Sequence, residues 1–274
     1  PYLQAIGPLL WLVQTCRPDI AQAVNVLRRF ASNPGKKHWA GVKWLLRYLK
    51  GTATLGIIYG RKVEGVPHAP LTASCDASWA DCKETRASTS GHIIMSCGGP
   101  ISWSSRKMKV QALSSMEAEF HSLCLCTREL TYLRTLFIRD FHYSPRDLTI
   151  PAYGKLALEA YTGDHPPPEP IAIMEDNTGA IVLAKSTGSR HLRSKHIELK
   201  WFWVRSMAQA GVVLPVYCPT KANTSDLMTK PVPKAALDYL RPRILWPHEE
   251  PVSQDRPQPH PRDGASASFR AGVK

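Results

Sequence analysis

No stretch of about 18 consecutive apolar residues occurs, so a transmembrane helix and a membrane partner are not expected. No C-x-x-C pair occurs either. The seven cysteines stand at 16, 75, 82, 97, 124, 126 and 218, an odd number at spacings that argue against a zinc ribbon or a dithiol redox motif. A reducing compartment is the simpler reading. No secretory signal opens the sequence. Its first residue is Pro rather than Met, so a fragment or processed piece of a longer protein is expected. Acidic residues are scarce: 22 Asp and Glu against 35 Lys and Arg in 274 residues, a net charge of +13. Apolar residues nonetheless reach 43% and charged residues 21%. A wholly disordered chain is therefore excluded, and one or two domains with a sizeable core are expected.

The positive charge is uneven. Residues 1–70 carry ten Lys or Arg against Asp19 and Glu64, whereas residues 247–274 carry four of each sign. The basic excess belongs to the folded part, and nucleic acid is the leading partner for such a surface. A Pro-rich stretch over 144–170 reads as a loop or linker. From Pro247 five Pro fall in 15 residues and no apolar periodicity follows, so that end is expected to be disordered.

Residues 1–60 read as helices. Arg17-Pro18-Asp19 begins one, with Pro tolerated and Asp favourable in a first turn. A second runs over 36–50. Trp39, Val42, Leu46 and Leu49 are expected on one face, and Lys36, Lys43, Arg47 and Lys50 on another. Lys43 and Arg47 are candidates for a phosphate backbone; a plain solvated face is the alternative. From residue 71 the pattern changes. Strands are expected at 71–78, 91–97 and 100–105, a long helix at 114–137, a strand at 171–174 and a helix through 184. Then come a helix at 194–210, a strand at 211–218 and a last helix starting within 223–229. Trp103 alternates as a core residue, and at least one of the aromatic residues Trp201, Phe202 and Trp203 is expected to face outward.

Four acids fall near element ends: Asp76, Glu119, Asp176 and Asp226. Side chains so placed can reach a shared cleft, where four carboxylates repel one another unless cations are present. Oxygen-only donors suit Mg²⁺ or Mn²⁺. Acids at element ends are also frequent helix caps, and spacing alone leaves both readings open.

Several segments are similar to the C-terminal part of copia-type retrotransposon polyproteins. Pro8-Leu9-Leu10-Trp11-Leu12, Arg17-Pro18-Asp19-Ile20-Ala21 and Leu46-Arg47-Tyr48-Leu49-Lys50-Gly51-Thr52 resemble the end of the reverse transcriptase region. Asp76-Ala77-Ser78-Trp79-Ala80, Ser88-Thr89-Ser90-Gly91, Gly99-Pro100-Ile101-Ser102-Trp103-Ser104-Ser105 and Ala112-Leu113-Ser114-Ser115-Met116-Glu117-Ala118-Glu119-Phe120 follow. Glu175-Asp176-Asn177, Lys195-His196-Ile197 and Asp226-Leu227-Met228-Thr229-Lys230-Pro231 complete the order.

The resemblance implies an α/β ribonuclease H-like domain, a mixed five-stranded sheet flanked by helices, at 67–235. It implies a helical reverse transcriptase remnant at 1–66, and leaves 236–274 as a disordered Pro-rich tail. The implied activity is endonucleolytic cleavage of RNA in an RNA–DNA hybrid by two Mg²⁺ ions, or Mn²⁺ in their place. Carried over, the metal-binding and catalytic carboxylates are Asp76, Glu119, Asp176 and Asp226. Glu117 competes with Glu119; two residues apart on a helix they face different ways, and the Ala118-Glu119-Phe120 context, closer to the general ribonuclease H pattern, implies Glu119. Ser88, Thr89, Ser90, Asn177, Arg193, Lys195 and His196 are candidates to contact the nucleic acid, with turn capping or a basic helix start as the plain alternatives. The implied partners are the hybrid and the polymerase domain of the same polyprotein. The implied location is a cytoplasmic particle, with the nucleus as alternative. A non-catalytic nucleic-acid-binding remnant is the competing function. Departures from the family pattern are Ser78, Asp81, Glu198, the 144–170 insertion and the tail after about Trp246; unlike cellular ribonuclease H enzymes, the sequence has no His in 219–225, which leaves proton transfer to water. No paired-Asp polymerase motif is present, so DNA synthesis is not expected.

Overall fold

The computed structural model describes residues 1–60, 71–142, 170–186 and 195–247. The chain opens with α1 (Tyr2–Thr15), a 3-10 turn at Pro18–Ile20, α2 (Ala21–Arg28) and α3 (Lys36–Gly51). Pro18 and Asp19 thus make a separate tight turn before α2 rather than its first turn. The buried face of α3 is Val42 and Leu45, with Tyr48 and Leu49 packed beside them. Trp39 and Leu46, expected inward, are exposed. The apolar stripe 42-45-49 follows the 3.6-residue period, and a helix cannot bury Leu46 together with Leu45 on so narrow a contact.

Two stretches of sequence some 30 residues apart meet in this helical part. Arg17 donates two hydrogen bonds to Asp19, from Nε at 2.9 Å and Nη2 at 2.8 Å. Its remaining donors reach the Thr52 carbonyl and hydroxyl at 3.1 and 2.7 Å. The Tyr48 hydroxyl donates to Asp19 Oδ2 at 2.7 Å, and Arg241 Nη1 donates to the same tyrosine oxygen at 3.3 Å. Burial and the neighbouring Asp19 push the Tyr48 hydroxyl up to about 12.

The remaining elements are β1 (Leu55–Gly56), β2 (Thr72–Ser78), β3 (Thr89–Ser96), β4 (Gly99–Lys107), α4 (Ser115–Arg139), β5 (Ile171–Glu175), α5 (Thr178–Lys185), α6 (Lys195–Gln209), β6 (Val213–Tyr217), α7 (Asp226–Thr229), α8 (Lys234–Leu240) and β7 (Trp246–Pro247). Five strands form one sheet in the order β4-β3-β2-β5-β6. β2, β3 and β4 are antiparallel neighbours, whereas β5 runs parallel to β2 and β6 parallel to β5. The β3–β4 connection turns at Cys97 and Gly98, both at positive φ (49° and 81°), the backbone a two-residue hairpin turn requires.

Side chains alternate along β2, and each face has its own cover. Leu71, Ala73 and Cys75 pack with Phe120, Leu123, Cys126 and Leu130 of α4. On the other face Ile93 and Met95 pack with Ala21, Leu227, Met228, Leu240, Ile244 and Leu245. The N-terminal helices therefore share a core with the sheet. Trp103 Nε1 donates to the Val13 carbonyl at 2.6 Å, which makes it a packing residue. Trp201 is buried and Phe202 is half exposed.

Residues 236–247, expected within a disordered tail, are folded. They complete α8, and β7 pairs antiparallel with β1. Leu240, Ile244 and Leu245 supply the buried apolar surface that repays ordering them. Most of the 144–170 insertion and residues 248–274 lie outside the described residues.

Candidate metal centre

Each acid is presented by a local device. At the start of α4, Ser114 Oγ accepts from the Glu117 amide at 3.1 Å, and Glu117 Oε2 accepts from the Leu113 amide at 2.8 Å. This is a reciprocal cap. It commits Glu117 to the helix end and turns Glu119, two residues on, into the interior at 8% exposure. At the carboxyl end of β5, Glu175 Oε1 accepts from the Asn177 amide at 3.0 Å, and Asn177 Oδ1 accepts from Ala180 N at 3.0 Å to cap α5. Asp176 is held between them. At the last acid, Asn223 Nδ2 donates to the Cys75 carbonyl at 2.9 Å, and Ser225 Oγ shares a 2.6 Å hydrogen bond with Ser74 Oγ. These bonds pin the turn before α7 onto β2.

The result brings Asp76, Glu119 and Asp176 together: one carboxylate oxygen from each lies within 4.8 Å of the others. Asp226 lies outside that set. It is joined to Asp76 through Lys230, whose Nζ stands 2.9 Å from Asp226 Oδ1 and 3.5 Å from Asp76 Oδ1. The Thr229 hydroxyl donates a short hydrogen bond to Asp76 Oδ2.

The electrostatics are those of carboxylates short of positive charge. Burial first, then Asp76 and Glu175, push the Glu119 carboxyl up to about 10. Burial and Asp76 raise Asp226 to about 6, even with Lys230 opposing. Burial raises Asp76 as well. Glu119 Oε2 is buried with no hydrogen-bond partner among the described residues. An orphaned carboxylate oxygen among acids is what a hard cation with oxygen donors satisfies, so the donor set fits a divalent ion.

Three residues here carried no role in the sequence reading: Thr229, Lys230 and Glu175. The i,i+4 spacing of Lys230 from Asp226 was the one available signal. Glu175 is fully buried and receives the Cys75 thiol at 3.1 Å. Burial pushes it up to about 8.

The other expected contacts sort differently. Ser88, Thr89 and Ser90 are buried, and their hydroxyls serve the fold. Ser88 Oγ accepts from Ala80 N at 3.0 Å, and Thr89 Oγ1 donates to Asp81 at 2.9 Å and accepts from Arg29 at 3.2 Å. Ser90 Oγ reaches the Arg106 carbonyl at 3.4 Å. This group is structural because β3 is covered on both faces, and Asn177 is a cap. Lys43 and Arg47 are exposed on α3. Arg193 and the side chains of Lys195 and His196 lie outside the described residues.

Gly91 explains why the motif 88–91 ends in glycine. A Cβ there would stand 2.5 Å from Met228 Cβ and 2.7 Å from Thr229 Cγ2. The β3 backbone is thus the seat of α7, which carries Asp226. Gly91→Ala is expected to destabilise the fold by about 1–3 kcal/mol through overpacking. Urea unfolding checks this, and an unchanged midpoint would mean that α7 yields freely.

No family model matches the chain. Its sequence is 32% identical over 241 residues to the Pol polyprotein from transposon TNT 1-94 of Nicotiana tabacum, covering 88% of this chain and 16% of that protein. It is 32% identical over 243 residues to the Pol polyprotein from transposon RE2 of Arabidopsis thaliana, covering 89% and 15%. A shorter likeness, 43% over 133 residues, is to Secreted RxLR effector protein 161 of Plasmopara viticola, covering 48% of this chain and 91% of that one. Among solved structures, RNase H1 from Halobacterium salinarum aligns at 14% identity and a TM-score of 0.35, covering 62% of this chain and 98% of that one. The chain thus spans about one sixth of the polyproteins it matches. Among the described residues, no helix is long and apolar enough to cross a membrane.

Proposed function

We propose that the chain is a piece of a copia-type retrotransposon Pol polyprotein, as its likeness to those of transposons TNT 1-94 and RE2 supports, and that its ribonuclease H-like sheet carries an endonuclease for the RNA strand of RNA–DNA hybrids. The observation that carries this reading is the convergence of Asp76, Glu119 and Asp176, with one Glu119 oxygen buried and unpartnered. Asp76, Glu119, Asp176 and Asp226 would hold Mg²⁺, or Mn²⁺ in its place. A pair of such ions, when bound, supplies water activation and charge stabilisation at the leaving 3′-oxygen.

The chain's own groups have separable tasks. Asp76, on the central strand, would help hold the metal. Glu119 and Asp176 serve the leaving-group side, and Asp226 the water side. The Thr229 hydroxyl orients Asp76. Residues 219–225 contain no His, so the departing oxygen takes its proton from water. Lys43, Arg47, Arg193, Lys195 and His196 would meet phosphates, which makes binding fall steeply with salt. Residues 1–66 are the helical end of the reverse transcriptase region, and the polymerase domain of the same polyprotein is the partner, in a cytoplasmic particle.

The test is cleavage of an end-labelled RNA–DNA hybrid with Mg²⁺ or Mn²⁺ against EDTA. RNA-strand products bearing 3′-hydroxyl and 5′-phosphate ends support the reading. Binding without cutting, also when the polymerase domain is added, supports the non-catalytic remnant instead.

A second prediction concerns the metal-free protein. Glu119 has its folded value raised from 4.5 to about 10, and Glu175 from 4.5 to about 8. Between the unfolded and folded values the folded state binds more protons, so stability falls as pH rises through that window. In EDTA the melting temperature is expected to drop from pH 5 to pH 9, and Glu119→Gln to flatten that slope. A flat wild-type profile would remove the buried-carboxylate account.

A further inference from the structure

We propose that Lys230 is a built-in cation that occupies the place of the second metal ion until that ion displaces it. The inference rests on the metal-binding reading above and concerns only how the fourth carboxylate is used.

The observations lie around one ammonium group. Three of the four carboxylates, Asp76, Glu119 and Asp176, converge on one another, and of these Asp76 also meets Lys230. The fourth, Asp226, meets the cluster through Lys230 Nζ, at 2.9 Å from Asp226 and 3.5 Å from Asp76. Those are the two carboxylates that a second ion would share. A point charge of +1 offsets the same two carboxylates a hard cation would, but Asp226 Oδ1, buried like Glu119 Oε2, keeps no hydrogen-bond partner among the described residues, so the ammonium is an ion-pair stand-in and not a full replacement. Lys230 pairs with Asp76 and Asp226 and not with Glu119, which is 8% exposed and whose Oε2 has no hydrogen-bond partner among the described residues. The first ion therefore has an open set of oxygens, whereas the second must compete.

Backbone geometry sets the lysine in place and leaves it a way out. α7 ends at Thr229, and Lys230 is its C-cap in extended conformation, at φ −137° and ψ 152°. Pro231 follows and cannot continue the helix. Thr229 and Lys230 thus approach Asp76 as consecutive residues, one with a hydroxyl and one with an ammonium. The Lys230 side chain is 35% exposed, against 1% for Asp76 and 12% for Asp226. The flexible four-carbon stem can swing the ammonium into water, where its solvation is recovered. The buried carboxylates have no such choice.

The experiment counts bound Mn²⁺ by calorimetry and by electron paramagnetic resonance, on the full chain without nucleic acid. Wild type is expected to bind one ion well and a second weakly. Lys230→Met is expected to tighten the second ion by about tenfold, since a competing unit charge within about 4 Å is removed. It is also expected to lower the melting temperature in EDTA, because Asp76 and Asp226 then face each other uncompensated. Lys230→Arg, which keeps the charge, should retain the weak second ion. If Lys230→Met fails to fold, Lys230→Gln serves in its place.

Second-ion affinity unchanged or weaker in the neutral variants, with the first ion still bound, overturns the lysine's role and leaves the metal centre standing. No ion bound in any variant overturns both readings. Asp226→Asn gives the complementary check: the second ion should be lost with or without Lys230, and the first retained.

Discussion

Asp76→Asn is expected to lower metal-dependent cutting of the RNA strand by about a thousandfold, since metal stabilisation of such a transition state is worth several kcal/mol. The side chain keeps its shape, and one negative charge leaves a cluster that is short of cations. The melting temperature in EDTA should therefore hold or rise, which separates a catalytic loss from an unfolding loss. Asp76 is the acid through which the others are organised. It receives Thr229 and Lys230, and an oxygen of Ser122 bonds its carbonyl at 2.7 Å from α4. Cutting of a labelled hybrid by matched wild-type and variant preparations is the measurement. A variant that retains cutting within tenfold, still dependent on metal, would remove Asp76 from the centre of the site.

The second large effect lies far from the chemistry. Asp19→Ala is expected to cost about 3–5 kcal/mol, the range for removing one partner of a buried ion pair. Arg17 and Asp19 have side chains 5% and 0% exposed. Without the carboxylate, the guanidinium keeps only Thr52, and the Tyr48 hydroxyl loses its acceptor. Against a total stability of about 5–15 kcal/mol this is a large share. The contrast is Arg139–Asp140, at 79% and 40% exposure, where Asp140→Ala should cost about 0–1 kcal/mol. Urea denaturation of both variants decides. Equal midpoints would show that burial of the Arg17 pair contributes nothing special.

The same network shows what the sequence could and could not convey. Arg17-Pro18-Asp19 and Tyr48-Leu49-Lys50-Gly51-Thr52 were legible as separate segments of one family. That they close on each other was not, because each is locally helical and neither carries a mark of its distant partner. Similarly, Ser88-Thr89-Ser90-Gly91 is legible as a motif, with nucleic-acid contact and turn capping as its two readings. The hydroxyls instead serve the fold, and the glycine makes room for α7. A buried strand and an exposed turn of Ser and Thr look alike until both faces of the sheet are known.

The element order and type are legible for the five sheet strands because short runs with apolar content are separated there by turn residues. Helical geometry puts Glu117 and Glu119 on different faces, and the choice of Glu119 rests on the family resemblance of its Ala-Glu-Phe context; in the structure Glu117 serves the helix cap and Glu119 is buried. The α3 stripe was misplaced by one residue, since Leu45 and Leu46 are equally apolar and only the packing partner distinguishes them. Residues 236–247 border the Pro-rich run that follows, yet Leu240, Ile244 and Leu245 are core, because they cover the sheet face that also holds Ile93 and Met95.

What the sequence determined by itself is the five sheet strands with the main helices between them, the four acids at their ends and the net positive charge, since these follow from local periodicity and residue chemistry. What only the tertiary structure decided is which acids converge and which cation meets them. Asp76, Glu119 and Asp176 form one set while Asp226 pairs with Lys230, because distances between oxygens depend on how helices seat against the sheet. Coulomb energy falls with those distances and with the water excluded between them, and neither quantity exists until the chain has folded.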